Sequence, residues 1–436
     1  MSRRNIWSQA ADVAARTPES RNRYVDFLRA LSICAVITGH WLVAAPVVVQ
    51  GELTISNMLQ VAPWVRWLTW VFQVMPVFFL VGGYANGVSW RSAKRDNRSY
   101  GTWLNGRLQR LIGPVLPLLA IWIVFGIVAQ RFGMDTGLLQ VASQLALVPI
   151  WFLAVYVMVV VMVPATFAAW ERFGLRSFWI LIGLTILDDI LFFSADLHFV
   201  GWANYAFIWF AVHQLGYAWR DEKLGGPTTM LVWGGLGFAA LLGVVFLGPY
   251  PISMVSVPGD EISNTLPPKL PMLALGIAQS GLLLALEFPL RRWLARAIPW
   301  TATVLVNGMI MTIYLWHVTA LTVLVGVLLL FGAPGLALEP GSGAWWVARP
   351  VWMVVLLIVL ALFTLAFGRL ERGGRGVTEH AGWRLVMGAV LVCGGLSLLA
   401  LNGIASDGWL TSKVWILALP FAGAALAGVN PARRAG

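Results

Sequence analysis

Charge is what this sequence has least of. Asp, Glu, Lys and Arg make up only 11% of its 436 residues, against about 25% in a typical soluble domain. That scarcity excludes a soluble enzyme, a disordered chain and a nucleic-acid-binding protein, each of which needs charged surface. Cysteine is scarcer still. Cys34 and Cys393 are the only two, and both fall in apolar stretches, so no disulfide framework is indicated. Long polar stretches are missing as well. The longest outer loop, 249–270, is rich in Pro and Ser with Asp260 and Glu261, and is too short to form a domain. Any chemistry must therefore take place inside the apolar segments.

Those segments dominate the chain: 59% of residues are hydrophobic and the mean hydropathy is +0.78. A helix needs about 20 apolar residues to cross a bilayer. Twelve stretches qualify, at 26–48, 66–90, 110–130, 145–168, 177–194, 200–219, 228–248, 271–289, 302–331, 346–368, 383–402 and 411–428. The fold class expected is an all-α polytopic membrane protein of about 12 transmembrane helices, set in the plasma (inner) membrane.

Orientation follows from the basic residues in the loops. With the N-terminus in the cytoplasm, 25 of the 30 Lys and Arg fall on the inner side, including Arg375, Arg433 and Arg434. Only Arg66, Arg131, Lys269, Arg349 and Lys413 fall outside. Both termini are then cytoplasmic, and the net charge of +11 reflects topology, not affinity for nucleic acid. Residues 1–24 form a polar cytoplasmic segment. A cleaved leader ending near Ala44 and Ala45 is disfavoured, because the first apolar stretch carries Arg29 and His40. Many of the 24 Trp, such as Trp64, Trp219, Trp300 and Trp345, stand near span ends, as belt residues do.

Ionisable side chains at bilayer depth are costly, and each one is a functional candidate. They are Arg29, His40, Asp188, Asp189, His213, Glu287 and His317. Arg29 and Glu287 also read as snorkelling residues at the inner boundary, and His213 as a buried histidine bonded to a neighbour. His40 lies 11 residues beyond Arg29, roughly 17 Å deeper on the same helix, and His317 reaches a similar depth. Imidazole accepts a proton near neutral pH. Two histidines and the Asp188–Asp189 pair at one level would suit acid–base chemistry. On the cytoplasmic side, Arg107 and Arg110 stand three apart on one helix face, at what reads as a helix start. Such a pair binds phosphate in a fork, although ordinary positive-inside topology explains an isolated R-x-x-R equally well.

These residues resemble the integral-membrane acyltransferase family 3. Asp26, Leu28 and Arg29, with His40 eleven residues on, are similar to its first-helix Asp-x-Leu-Arg and Arg-x10-His elements. The stretch Phe78-Phe79-Leu80-Val81-Gly82-Gly83-Tyr84 resembles its F-F-x-x-S-G-[YF] motif, with Gly82 where the family has Ser. Arg107-Leu108-Gln109-Arg110 followed by Pro114 is similar to its R-x-x-R. Trp151-Phe152-Leu153 and Tyr314-Leu315-Trp316-His317 resemble two further elements, in the family's order over about residues 20–370.

The resemblance implies an O-acyltransferase, commonly an acetyltransferase in this family, that moves an acyl group from cytoplasmic acyl-CoA to a hydroxyl of an envelope glycolipid or glycan. It divides the chain into a transmembrane acyltransferase domain, 25–370, and two additional C-terminal helices with a short tail, 371–436. It assigns His40 as general base, with Asp188, Asp189 and His317 supporting, and Arg29, Arg107 and Arg110 as donor-binding residues. Acetyl-CoA is the expected donor and no metal is expected. The partners are acyl-CoA, a lipid-linked or secreted sugar acceptor and membrane lipids, with no nucleic acid. An Ala-, Gly-, Val-, Leu-, Arg- and Trp-rich composition points to a high-GC actinobacterium, where relatives act on mycolate-bearing trehalose lipids; others acylate capsular sugars or macrolides. The rival readings are a proton-coupled secondary transporter and a lipid-linked sugar flippase. Neither gives a reason for R-x-x-R and Arg-x10-His together.

Overall fold

The computed structural model describes residues 6–372, 379–404 and 414–429. Arg375, Lys413, Arg433 and Arg434, counted above for orientation, lie outside the described residues. Among the described residues the regular structure is helical except for one two-stranded hairpin, Ala44–Val49 with Glu52–Asn57. Eight of the described helices are long and apolar enough to span a membrane, and ten spans result if each of two bent pairs is one span. The other two expected segments coincide with shorter helices, Asn204–Arg220 of 17 residues and Val414–Leu426 of 13. The outer face of helix Pro227–Leu247 is lipid-like: Leu247 is 91% exposed and Leu236 66%, which would be an aggregation hazard in water.

Departures from the expected segments have local causes. The first helix runs Arg23–Val43, not to residue 48, because Pro46 and the following β-branched run favour extended backbone. Gln50 and Gly51, both at positive φ, then close the hairpin in a two-residue turn. The 145–168 segment is not one helix. Thr136–Leu147 and Ile150–Val161 meet at a 41° bend, where Pro149 interrupts the backbone bonding, and Val163–Phe173 follows separately. Leu270–Ala285 bends by 55° into Glu287–Leu294, since Pro289 has no N–H to offer the carbonyl four residues back. The long 302–331 segment divides at Gly308 into Ala297–Asn307 and Ile310–Leu330.

Two compact units result. The first holds the chain through Val43, Asn57–Arg91 and Val163–Gly308; the second holds Ala44–Ser56, Ser92–Met162 and the chain from Met309 onward. Within the first, Met75–Arg95 crosses Asn204–Arg220 at very close range. A Cβ on Gly83 would stand 2.1 Å from the His213 carbonyl oxygen, and one on Gly216 2.2 Å from that of Leu80. Small residues permit this approach, as in other membrane bundles. Phe79 stacks on Trp209 beside the crossing, with centroids 4.5 Å apart.

In the second unit, helix Gly382–Asn402 packs on Val414–Leu426 at Gly388 and Gly423, and on Ile150–Val161, where the Cys393 thiol meets the Ala154 carbonyl at 3.2 Å. These two C-terminal helices also touch the helix of the paired arginines, Tyr100–Ile112. Asn105 Nδ2 donates to the Ala427 carbonyl at 2.9 Å and Gln109 Nε2 to that of Gly428 at 2.7 Å. Asn105 and Gln109 sit one turn apart on one face, and Arg107 falls about 180° from their midpoint.

Candidate active site

In the first unit, the helix Arg23–Val43 carries Arg29 near one end and His40 in its last turn. Eleven residues advance the helix by about 20° beyond three full turns, so both project from one face. Arg29 does not simply snorkel. Its guanidinium stands 3.7 Å from the buried carboxylate of Asp26, one turn earlier, and Arg21 Nε holds the other oxygen of that carboxylate at 2.6 Å. Asn307 Nδ2 in turn donates to the Asp26 carbonyl at 2.9 Å. Asp26 was legible only as part of a motif; its spacing of three from Arg29 was the signal for a pairing role. His40 is half-buried.

Glu287 is likewise paired. It accepts from Trp219 Nε1 at 2.8 Å and lies 3.5 Å from both Asn22 Nδ2 and Arg291 Nη1. Asn22 also donates to the Tyr84 hydroxyl at 3.3 Å, which gives the tyrosine of the Phe78–Tyr84 motif a place in this network. His213 is fully buried and shares a 3.2 Å hydrogen bond with Asn86, as a structural histidine does.

The acids of helix Leu175–Ser194 form a cluster of their own. Asp189 accepts from Asn204 Nδ2 at 2.9 Å, from the Tyr250 hydroxyl at 2.7 Å and from the Leu270 N–H at 2.8 Å. Burial first, and then the Asp189 charge, push the Tyr250 phenol up, so it stays protonated and donates. Asp188 is buried beside it with Oδ2 lacking a hydrogen-bond partner, and Lys269 places its ammonium 3.4 Å from the Phe192 ring centroid. None of Asp189's hydrogen bonds goes to His40. Asp189 holds the two ends of the 249–269 segment through Tyr250 and the Leu270 N–H, and Asn204, Tyr250 and Lys269 were neighbours that sequence spacing gave no means of finding.

In the second unit, Arg107 and Arg110 lie in the C-terminal half of helix Tyr100–Ile112. This corrects the expectation of a helix start. The apolar run that suggested one begins after Gly113, at Val115–Arg131. The attraction of a helix N-terminus for anions is therefore not available to them from their own helix. Arg107 is half-buried with its guanidinium 5.7 Å from the Trp103 ring centroid, and Arg110 is exposed. The two side chains present a fixed and a free guanidinium from adjacent turns.

His317 is fully buried on Ile310–Leu330, its Nδ1 2.6 Å from the Tyr314 carbonyl oxygen. A carbonyl cannot donate, so this hydrogen bond places the proton of the neutral ring on Nδ1 and leaves a lone pair on Nε2. The Tyr314 hydroxyl donates to the Pro149 carbonyl, and the Tyr314 ring meets Phe152 edge-on at 5.9 Å, so two of the recognised motifs pack together. The helix start is capped from outside: Glu371 accepts from the N–H groups of Met311 and Thr312 at 2.9 and 2.8 Å. A carboxylate there satisfies otherwise orphaned donors and complements the helix dipole.

Thus Arg29, His40, Asp188 and Asp189 belong to the first unit, and Arg107, Arg110 and His317 to the second. Among the described residues no group of three or more His, Cys, Asp or Glu is arranged to hold a metal ion.

A bundle of long apolar helices of this kind is a multi-pass membrane protein. The chain matches the acyltransferase domain family over residues 22–369 and belongs to that family. It is a multi-pass membrane acyltransferase, moving acyl groups other than aminoacyl groups. No curated relative and no solved structure matches the chain.

Proposed function

We propose that this protein is an O-acyltransferase of the inner membrane that moves an acyl group, most simply acetyl, from acyl-CoA to a hydroxyl of an envelope glycolipid or glycan. The observation that carries this reading is the placement of Arg29 and His40 on one face of a single helix inside the family-matched region, with Arg29 tethered by the buried Asp26. Arg107 and Arg110 are the phosphate-binding fork for the CoA moiety. His40 is the general base. It takes the proton of the acceptor hydroxyl as that oxygen bonds to the thioester carbonyl carbon. The tetrahedral adduct then expels the CoA sulfur, the C–S bond breaks, and the imidazolium returns the proton to the thiolate. The products are an ester and free CoA.

His317, with Nδ1 held by Tyr314, is assigned to orient the acceptor through Nε2. Asp188 and Asp189 are assigned to hold the segment next to them, because Asp189 accepts from Tyr250 and Leu270 at its two ends.

The test is a thermal-shift titration of detergent-purified protein with acetyl-CoA, comparing the wild type with the Arg107→Ala/Arg110→Ala variant. Saturable stabilisation is expected in the wild type and its loss in the variant. A well-folded wild type that gives no shift removes the donor assignment and brings a carrier to the front.

A further inference from the structure

Near the start of helix Gly343–Arg372, Arg349 is buried to 7% exposure. Its guanidinium carbon lies 3.5 Å from the Trp345 ring centroid and 5.5 Å from that of Trp352. Among the described residues it has no hydrogen-bond or ion-pair partner, and its Nε is buried without one. Trp352 Nε1 is a second buried donor with no acceptor. Both side chains line one cavity of about 20 Å³, completed by Pro46, the 335–338 turn and Ala348.

This is not the arrangement of a snorkelling arginine, which would carry its guanidinium into water or headgroups. Stacking on indole faces gives some compensation for lost hydration. It leaves the buried Nε without an acceptor and the charge without a counter-ion among the described residues, where an uncompensated charge is expensive. The cavity's side-chain hydrogen-bonding groups are all donors: an arginine cannot accept, and neither can an indole N–H. No side chain lining it carries a negative charge. A water molecule fits the volume, but it would leave the charge unneutralised. An acceptor that also brings negative charge satisfies both needs.

We propose that Arg349 and Trp352 form a binding site for a phosphate-type oxyanion, with Trp345 as the platform that fixes the guanidinium plane. The cavity admits one or two oxygen atoms and not a whole phosphate. The ligand therefore inserts its anionic oxygens between Arg349 and Trp352 and leaves its ester substituents outside. The phosphodiester of a membrane lipid and a free phosphate both present that chemistry. The site makes no use of the transfer reaction and stands or falls separately from it.

The experiment uses the full-length protein in micelles of a phosphate-free maltoside detergent, with phosphatidylglycerol or inorganic phosphate titrated in. Melting temperature and retained lipid by native mass spectrometry are read for the wild type, Arg349→Gln and Trp352→Phe. The wild type is expected to gain stability saturably from phosphatidylglycerol and to retain it. Arg349→Gln should lose that response while melting normally in the detergent alone. Trp352→Phe keeps the ring and loses the donor, and should weaken the midpoint about five- to tenfold. Stabilisation by inorganic phosphate that competes with phosphatidylglycerol would support the same site with a soluble ligand. A wild-type response retained in full by both variants overturns the proposal, as does a wild type that responds to neither probe. Should Arg349→Gln fail to fold, an unchanged midpoint in Trp352→Phe overturns it alone.

Discussion

A buried cation or acid in this protein is nearly always explained by what stands within one turn or one helix of it. Asp26 fixes Arg29, Glu287 takes the Trp219 N–H, and Asp189 accepts from three donors. His40 is set apart by its position on the Arg29 face at the end of the helix. His40→Ala should lower kcat by about 10²–10⁴, the usual worth of a general base, with membrane insertion and acetyl-CoA stabilisation unchanged. Retained turnover in that variant removes His40 from the chemistry. A different test of residue-scale electrostatics is Asp221, beyond the last residue of helix Asn204–Arg220. Partial burial raises its carboxyl, but bonds from Trp170 Nε1 and Arg220, together with the charges of Arg220 and Arg91, overcome this and hold it below the usual carboxylate range. A depressed carboxyl stabilises the fold above its unfolded-state value and loses that contribution as pH falls through the folded value. Asp221→Asn should therefore lower the melting temperature at pH 7, with the difference from wild type shrinking below about pH 4. A difference that persists undiminished at acid pH refutes the charge argument.

At the scale of elements, the sequence was informative wherever a helix was long, apolar and free of proline beyond its first residue. Leu175–Ser194, Pro227–Leu247 and Gly382–Asn402 each match an expected segment within a few residues. It was misleading where a short-range breaker competed with an apolar average, as at Pro46, Pro149 and Pro289, because hydropathy does not register a missing N–H. The motif residues were legible, and their reasons were not. Gly83 reads as part of a loose signature, yet its role is the crossing with Gly216, which only the packing of two distant segments reveals. The two C-terminal helices, outside the family-matched region, had no reading at all. The structure gives them one: they supply the carbonyls of Ala427 and Gly428 that tie down Asn105 and Gln109. That fastening is on the face opposite Arg107, so it steadies the helix without occupying its basic side. Asn105→Ala and Gln109→Ala leave buried carbonyls without donors and should each destabilise the protein by about 1–3 kcal/mol. Substitution of Arg110, which is exposed, should leave the unfolding free energy within about 0.5 kcal/mol of wild type. Equal effects from all three would show that the tie is not formed.

At the scale of the whole chain, the distribution of Lys and Arg is the one property that speaks to orientation, since helix lengths are the same read from either side. The 25-to-5 bias predicts that the Arg91–Arg98 turn faces the cytoplasm and the 249–269 segment the opposite side. Such a bias is reliable in short loops, and these qualify. The chain allows a direct check because it has only Cys34 and Cys393 to remove. Neither thiol is needed by the proposed reaction; Cys34 is exposed on the first helix and Cys393 bonds only a backbone carbonyl. In a background with both changed to Ala, a single cysteine at Asn97 or at Gly259 is placed in a positive-φ turn residue at each end. Strain at those positions argues for the neighbouring Asp96 and Glu261 as the labelled sites instead. Asp96→Cys should resist a membrane-impermeant maleimide in intact cells and react after permeabilisation, and Glu261→Cys should react in both. The reverse pattern would invert the bundle, place Arg107 and Arg110 on the face without CoA, and so remove the donor assignment, whatever the purified protein binds.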